Sequence, residues 1–154
     1  MARVEVETSI TAPIERCFDL ARSVDVQQQT MAQSGDRAVA GVTTGTMEFD
    51  DFVTWETRHF GLRYCVTSQI TEYKPPHRFV LDQIDGPFTT FQHIHEFSSH
   101  GETTRMISAL EYRPPYRWIG ALADHLFLRR YLLRLLRTRS AFLKTIAESG
   151  ESRI

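Results

Sequence analysis

The run Val4-Glu5-Val6-Glu7-Thr8-Ser9-Ile10-Thr11-Ala12-Pro13-Ile14-Glu15-Arg16-Cys17-Phe18-Asp19-Leu20 changes its period in the middle. Its first part alternates: Val4, Val6, Thr8 and Ile10 fall on one side, Arg3, Glu5, Glu7 and Ser9 on the other. Successive side chains of a strand point to opposite faces, so this pattern reads as a half-buried β-strand. Proline suits the first turn of a helix, where its missing N–H costs nothing. After Pro13, the residues Ile14, Cys17, Phe18 and Ala21 recur at helical spacing, with Glu15, Arg16 and Asp19 outward. The run is therefore a strand feeding a short helix, and a second short helix is expected over 24–32.

Further along, the period returns to two. Thr43-Thr44-Gly45 marks a turn, and Val53, Trp55, Thr57 and His59 then alternate with Thr54, Glu56 and Arg58. His59-Phe60-Gly61 turns the chain into a strand with Tyr64, Val66, Ser68 and Ile70 on one face and Arg63, Cys65, Thr67 and Gln69 on the other. Pro75-Pro76 interrupts, because proline cannot donate to a ladder. Strands are expected over 78–84, 88–97 and 103–112, separated by Asp85-Gly86-Pro87 and Ser98-Ser99-His100-Gly101 and stopped by Pro114-Pro115. Successive strands with short turns make an antiparallel meander. Residues 118–149 contain no proline and are rich in Leu, Arg and Ala, which predicts one long helix. Leu122, Leu126, Leu132, Leu136, Leu143 and Ile146 supply its apolar stripe, and such a helix is long enough to cross a twisted sheet.

This order predicts one α+β domain over 1–154: an antiparallel sheet of six to seven strands wrapped around a long C-terminal helix, with two short helices after the first strand. The opening run, together with Gly86-Pro87-Phe88 followed by Phe91, His93, His95 and Phe97, resembles the helix-grip superfamily. That superfamily includes START lipid-transfer domains, birch-pollen-allergen-type proteins and the polyketide cyclase/dehydrase group. The resemblance spans nearly the whole chain, and the match is to a bacterial subgroup without assigned activity. It implies a cavity for lipids, hormones, polyketides or quinones, and in some members an enzyme.

Composition narrows the function classes. A chain of 154 residues with 42% hydrophobic and 24% charged residues is an ordinary single globular domain. A net charge of −1 gives no reason to expect nucleic acid or an anionic membrane as partner. No G-x-G-x-x-G or P-loop run is present, and no cofactor is expected. Cys17 and Cys65 lie in no C-x-x-C pattern and read as two buried thiols of a reducing compartment. The N-terminus lacks an uninterrupted apolar run and no stretch approaches a membrane span, so a cytoplasmic protein is expected, monomer or homodimer.

Alternation also assigns the interior. His93 and His95 share a face with Phe91 and Phe97, opposite Thr90, Gln92, Ile94 and Glu96. Met106, Ser108, Leu110 and Tyr112 form the inward set of the last strand; Phe79, Leu81 and Gln83 that of 78–84; and Trp55 and His59 go with Val53 and Thr57. The expected ligand-binding residues are Trp55, His59, Tyr64, Leu81, Gln83, Phe91, His93, His95, Met106, Ser108 and Leu110. Their chemistry is an aromatic and aliphatic wall with a few polar exceptions, suited to a hydrophobic small molecule.

Sharper readings exist for several of these groups. His93-x-His95 with His59 has the composition of a zinc site, but no cysteine or carboxylate is aimed at the same place, and histidines hydrogen-bonded to Gln83 or Ser108 or touching a ligand are the preferred reading, with no metal. His93 or His95 as general acid or base would make a cyclase- or dehydratase-type enzyme, the alternative to a carrier; no nucleophile–base–orienter set supports it, and no catalytic residue is assigned. The arginines Arg129, Arg130, Arg134, Arg137 and Arg139 are read as a solvated helix face rather than a membrane-docking surface. A membrane-associated or regulatory module is the third alternative, with Tyr116 and Trp118 at its docking edge.

Overall fold

Alternation along the first strand is realised residue by residue: Val4 and Ile10 are buried, Val6 and Thr8 half-buried, and Arg3, Glu5, Glu7 and Ser9 more exposed. The structure is a computed structural model that describes residues 2–31, 36–59, 62–113 and 124–149. Its elements are β1 (Ala2–Ile10), α1 (Ile14–Ala21), α2 (Val24–Thr30), β2 (Arg37–Gly41), β3 (Phe52–His59), β4 (Leu62–Lys74), β5 (Arg78–Asp85), β6 (Thr90–His100), β7 (Thr103–Arg113), a π-helical turn (Asp124–Leu128) and α3 (Arg129–Ser149). Ser23 caps α2 by accepting a 3.2 Å hydrogen bond from the Val26 N–H. The 7-stranded sheet has the order β1-β7-β6-β5-β4-β3-β2 and its pairs are antiparallel. The two short helices carry the chain from one edge of the sheet to the other.

α3 has β1, β7, α1 and α2 as its main packing partners. Its lower end is tied down: Arg16 of α1 donates to the carbonyls of Ala147 and Ile146 at 3.0 and 3.1 Å, and Lys144 donates to Ser9 O at 2.6 Å. Phe18 fills the space between α1 and the sheet, edge-on to Phe79 and Phe97 with centroids 5.3 and 5.6 Å away. The core consists of two main clusters. One gathers Phe18, Phe79, Phe97, Trp55 and Leu143. The other gathers Val4, Leu110, Tyr112, Leu132 and Leu136. Both border the same internal space, because α3 packs mainly on β1 and β7 and is not pressed on the inner faces of β3–β6, where α1 reaches only part of β5 and β6.

The sequence expectations are corrected in several places. Cys65 is exposed, not buried, because it lies on the convex face of β4, opposite Tyr64 and Val66; Cys17 is buried as expected. Leu126 points to solvent: six residues before Leu132 it falls off the stripe that buries Leu128, Leu132, Leu136, Leu143 and Ile146. Leu122 and the first part of the expected helix, 118–123, lie outside the described residues, as do Tyr116, Trp118 and the Phe60-Gly61 turn. β6 runs from Thr90 to His100, so of the expected Ser98–Gly101 turn only Gly101 lies in the hairpin turn. The convex face is less uniformly polar than alternation suggested: Val80, Ile94 and Ala109 bury themselves side by side on the central strands. The neighbouring Arg78–Glu96 pair, 3.0 Å apart, runs its side chains beside them.

Candidate functional site

Between α3 and the inner faces of β3–β6 lies a cavity of about 130 Å³. One ordered water needs only ~10–15 Å³, so this is far more than a packing defect. β3 contributes Trp55, β4 Tyr64, β5 Leu81 and Gln83, β6 Phe91 and His93, and β7 Leu110. A smaller cavity of about 50 Å³ adjoins it, lined by His95, Met106 and Ser108, with His93 bordering both. The residues expected from alternation are thus divided between two spaces. His59 lies on β3, but its side chain falls outside the described residues.

The two histidines sit side by side because residues two apart on a strand share a face. Their ring centroids are 4.0 Å apart, and both are buried. His95 stacks on Phe79, at 4.6 Å, and lies near-parallel to Phe97, at 6.2 Å. Its Nδ1 shares a 3.2 Å hydrogen bond with Ser108 Oγ, the partner across the ladder. Burial, reinforced by the Arg139 charge, brings His95 down from its ordinary value to about 3. His93 is pushed well below the ordinary value by burial first, then by His95 and Arg139. Both are neutral imidazoles at pH 7. Among the described residues no group of three His, Cys, Asp or Glu side chains converges as metal ligands would.

Gln83 turns away from the histidines. Its amide donates to the Phe88 carbonyl at 2.8 Å, pinning the segment that follows β5. A Cβ on Gly86 would stand 2.5 Å from Gln83 Oε1, so the missing side chain is what admits this bond. Phe88 is thereby set against Phe91, centroids 5.0 Å apart, and the pair walls one end of the cavity.

The helix supplies what sequence reasoning did not assign. Leu128, Tyr131, Leu132 and Arg139 line the large cavity, and Arg139 also borders the small one. Arg139 therefore does not belong to a solvated face; Arg129, Arg130, Arg134 and Arg137 do. The signal was present, since Arg139 follows Leu136 by three residues and precedes Leu143 by four, which puts it on the buried stripe. Its Nη2 donates to Met31 Sδ at 2.8 Å, a weak acceptor, while its buried Nε has no partner among the described residues. Burial pulls the guanidinium below its ordinary value, opposed by Asp36 and Tyr131. Asp36, also on the cavity wall, is buried and accepts a 2.7 Å hydrogen bond from Thr57 Oγ1. Tyr64 is raised to about 12, by burial and then by Tyr131 and Asp36, and so stays a neutral phenol.

Solved structures with this architecture are numerous. TTHA0849 from Thermus thermophilus is 20% identical, with a TM-score of 0.69 over 95% of this chain and 99% of that one. Ms6760 from Mycobacterium smegmatis is 14% identical, with a TM-score of 0.68 over 97% of this chain and 92% of that one. The major latex-like protein 151 of Panax ginseng is 10% identical, with a TM-score of 0.65 over 95% of this chain and 97% of that one. At these identities the likeness establishes the birch-pollen-allergen-like helix-grip fold. No curated protein matches the chain. The family model described as polyketide cyclase / dehydrase and lipid transport matches residues 1–148, and the chain belongs to that family, whose members commonly bind hydrophobic ligands.

Proposed function

We propose that the protein binds and carries a hydrophobic small molecule, such as a lipid, an isoprenoid or a polyketide-like aromatic, in the cavity beneath α3. The observation that carries this reading is the cavity of about 130 Å³ walled by Trp55, Phe88, Phe91, Leu81 and Leu110. An aromatic and aliphatic wall with a few placed polar groups is the usual composition of a small-molecule site. Burial of apolar ligand surface would supply about 25 cal/mol per Å² before the costs of association. His93, Tyr64 and Arg139 would orient the polar end. A carrier reading is favoured over an enzyme because the imidazoles are held neutral far below pH 7. They are weak proton acceptors, and His95 is oriented by a hydroxyl rather than a carboxylate.

Mass spectrometry of the purified protein under native and denaturing conditions tests this. A mass excess lost on denaturation, with a lipophilic species in the solvent extract, is the expected result. A bare native mass, together with no binding of dodecanol, dodecanoate or dodecylammonium in calorimetry, refutes the carrier.

A further inference from the structure

We infer that the ligand is an apolar carboxylate, its head seated against Arg139 and His93 and its body among the aromatic side chains of the cavity. The inference rests on the carrier reading and specifies its ligand class. A guanidinium carries N–H donors in a fixed planar fork suited to a carboxylate. Inside a protein such a charge is stable only when paired or fully hydrogen-bonded. Arg139 is half-buried and has no ion-pair partner among the described residues: its hydrogen-bond partner is a thioether, and its Nε is buried without one. The second buried side-chain nitrogen without a partner among the described residues is His93 Nε2, on the strand facing it. Arg139 and His93 both border the large and the small cavity, so the two lie at the junction between them. An arginine and an imidazole left unsatisfied at one place in an apolar chamber leave open the partners that a carboxylate head supplies.

The other charged group on the wall does not fill that role. Asp36 is engaged by the Thr57 hydroxyl, and no ion pair joins it to Arg139 among the described residues. An ammonium ligand would seat against Asp36 instead, and the test separates the two.

Three probes with the same chain isolate the head group: dodecanoate, dodecanol and dodecylammonium, titrated calorimetrically below their micelle concentrations. The wild-type protein is expected to bind dodecanoate at least tenfold more tightly than dodecanol, about 1.4 kcal/mol. In Arg139→Gln that ratio falls to near one while dodecanol affinity is kept, and in Arg139→Lys part of it survives. The wild-type ratio needs no folded variant. Equal binding of dodecanoate and dodecanol by the wild type, or a ratio that persists in Arg139→Gln, overturns the carboxylate and leaves the carrier standing. Tighter binding of dodecylammonium than of dodecanoate also overturns it. Binding of none of the three overturns both.

Discussion

Acid should weaken this protein through one buried imidazole by an amount that can be worked out. His95 packs against two phenylalanine rings, and its folded-state value of about 3 stands below the ordinary 6.5. The unfolded chain takes up a proton below pH 6.5 that the native state refuses, so stability is full above that pH and is lost as pH falls toward 3. Between pH 7.5 and pH 5 the loss from His95 alone is about 2 kcal/mol. His93 is shifted in the same direction by the same burial and adds to the loss. Surface carboxylates also titrate in acid, so the comparison has to be with His95→Gln, which does not titrate and can still bond Ser108. Urea unfolding of both proteins at the two pH values reads the difference. The wild type should lose about 2 kcal/mol more than the variant, which at ordinary urea slopes is about 1 M in midpoint. If both proteins lose the same stability, His95 is not held neutral by its surroundings, and the packed geometry around the two rings is wrong.

Three further outcomes follow from the packing. Leu136 is 1% exposed on the sheet-facing side of α3, so Leu136→Ala should cost about 3 kcal/mol and lower Tm by roughly 6–12 °C in a thermal scan. Gly41 has a φ of 72°, and a Cβ there would stand 2.3 Å from the Phe52 carbonyl oxygen, so Gly41→Ala should lose about 1–3 kcal/mol in the same scan although the site is at an edge strand. Cys65 is exposed while Cys17 is buried and its thiol raised by that burial, so a chromogenic disulfide reagent should titrate Cys65 at once in the native protein and Cys17 after denaturation. Fast native reaction of both thiols would show that α1 is not packed as described.

The strand–helix opening, the meander and the amphipathic tail were all legible along the chain, because each is a local periodicity. Alternation along β6 alone places His93 and His95 inward together, and the same rule places Tyr64, Leu81 and Leu110. What local pattern could not reach was everything that depends on how α3 lies across the sheet. Arg139 was grouped with four solvated arginines although its spacing from Leu136 and Leu143 puts it on the buried stripe; what local pattern could not supply is that this part of the stripe borders open space and not packed side chains. The division of the interior into two spaces with His93 and Arg139 between them is likewise tertiary, for a cavity is the volume that side chains from distant segments fail to fill. Sequence by itself determined the fold and which strand faces look inward, since those follow from periods of two and 3.6. Tertiary structure alone decided that the inward space is hollow and that Arg139 and His93 meet at its border, since both depend on the distance and rotation at which one helix settles on the sheet.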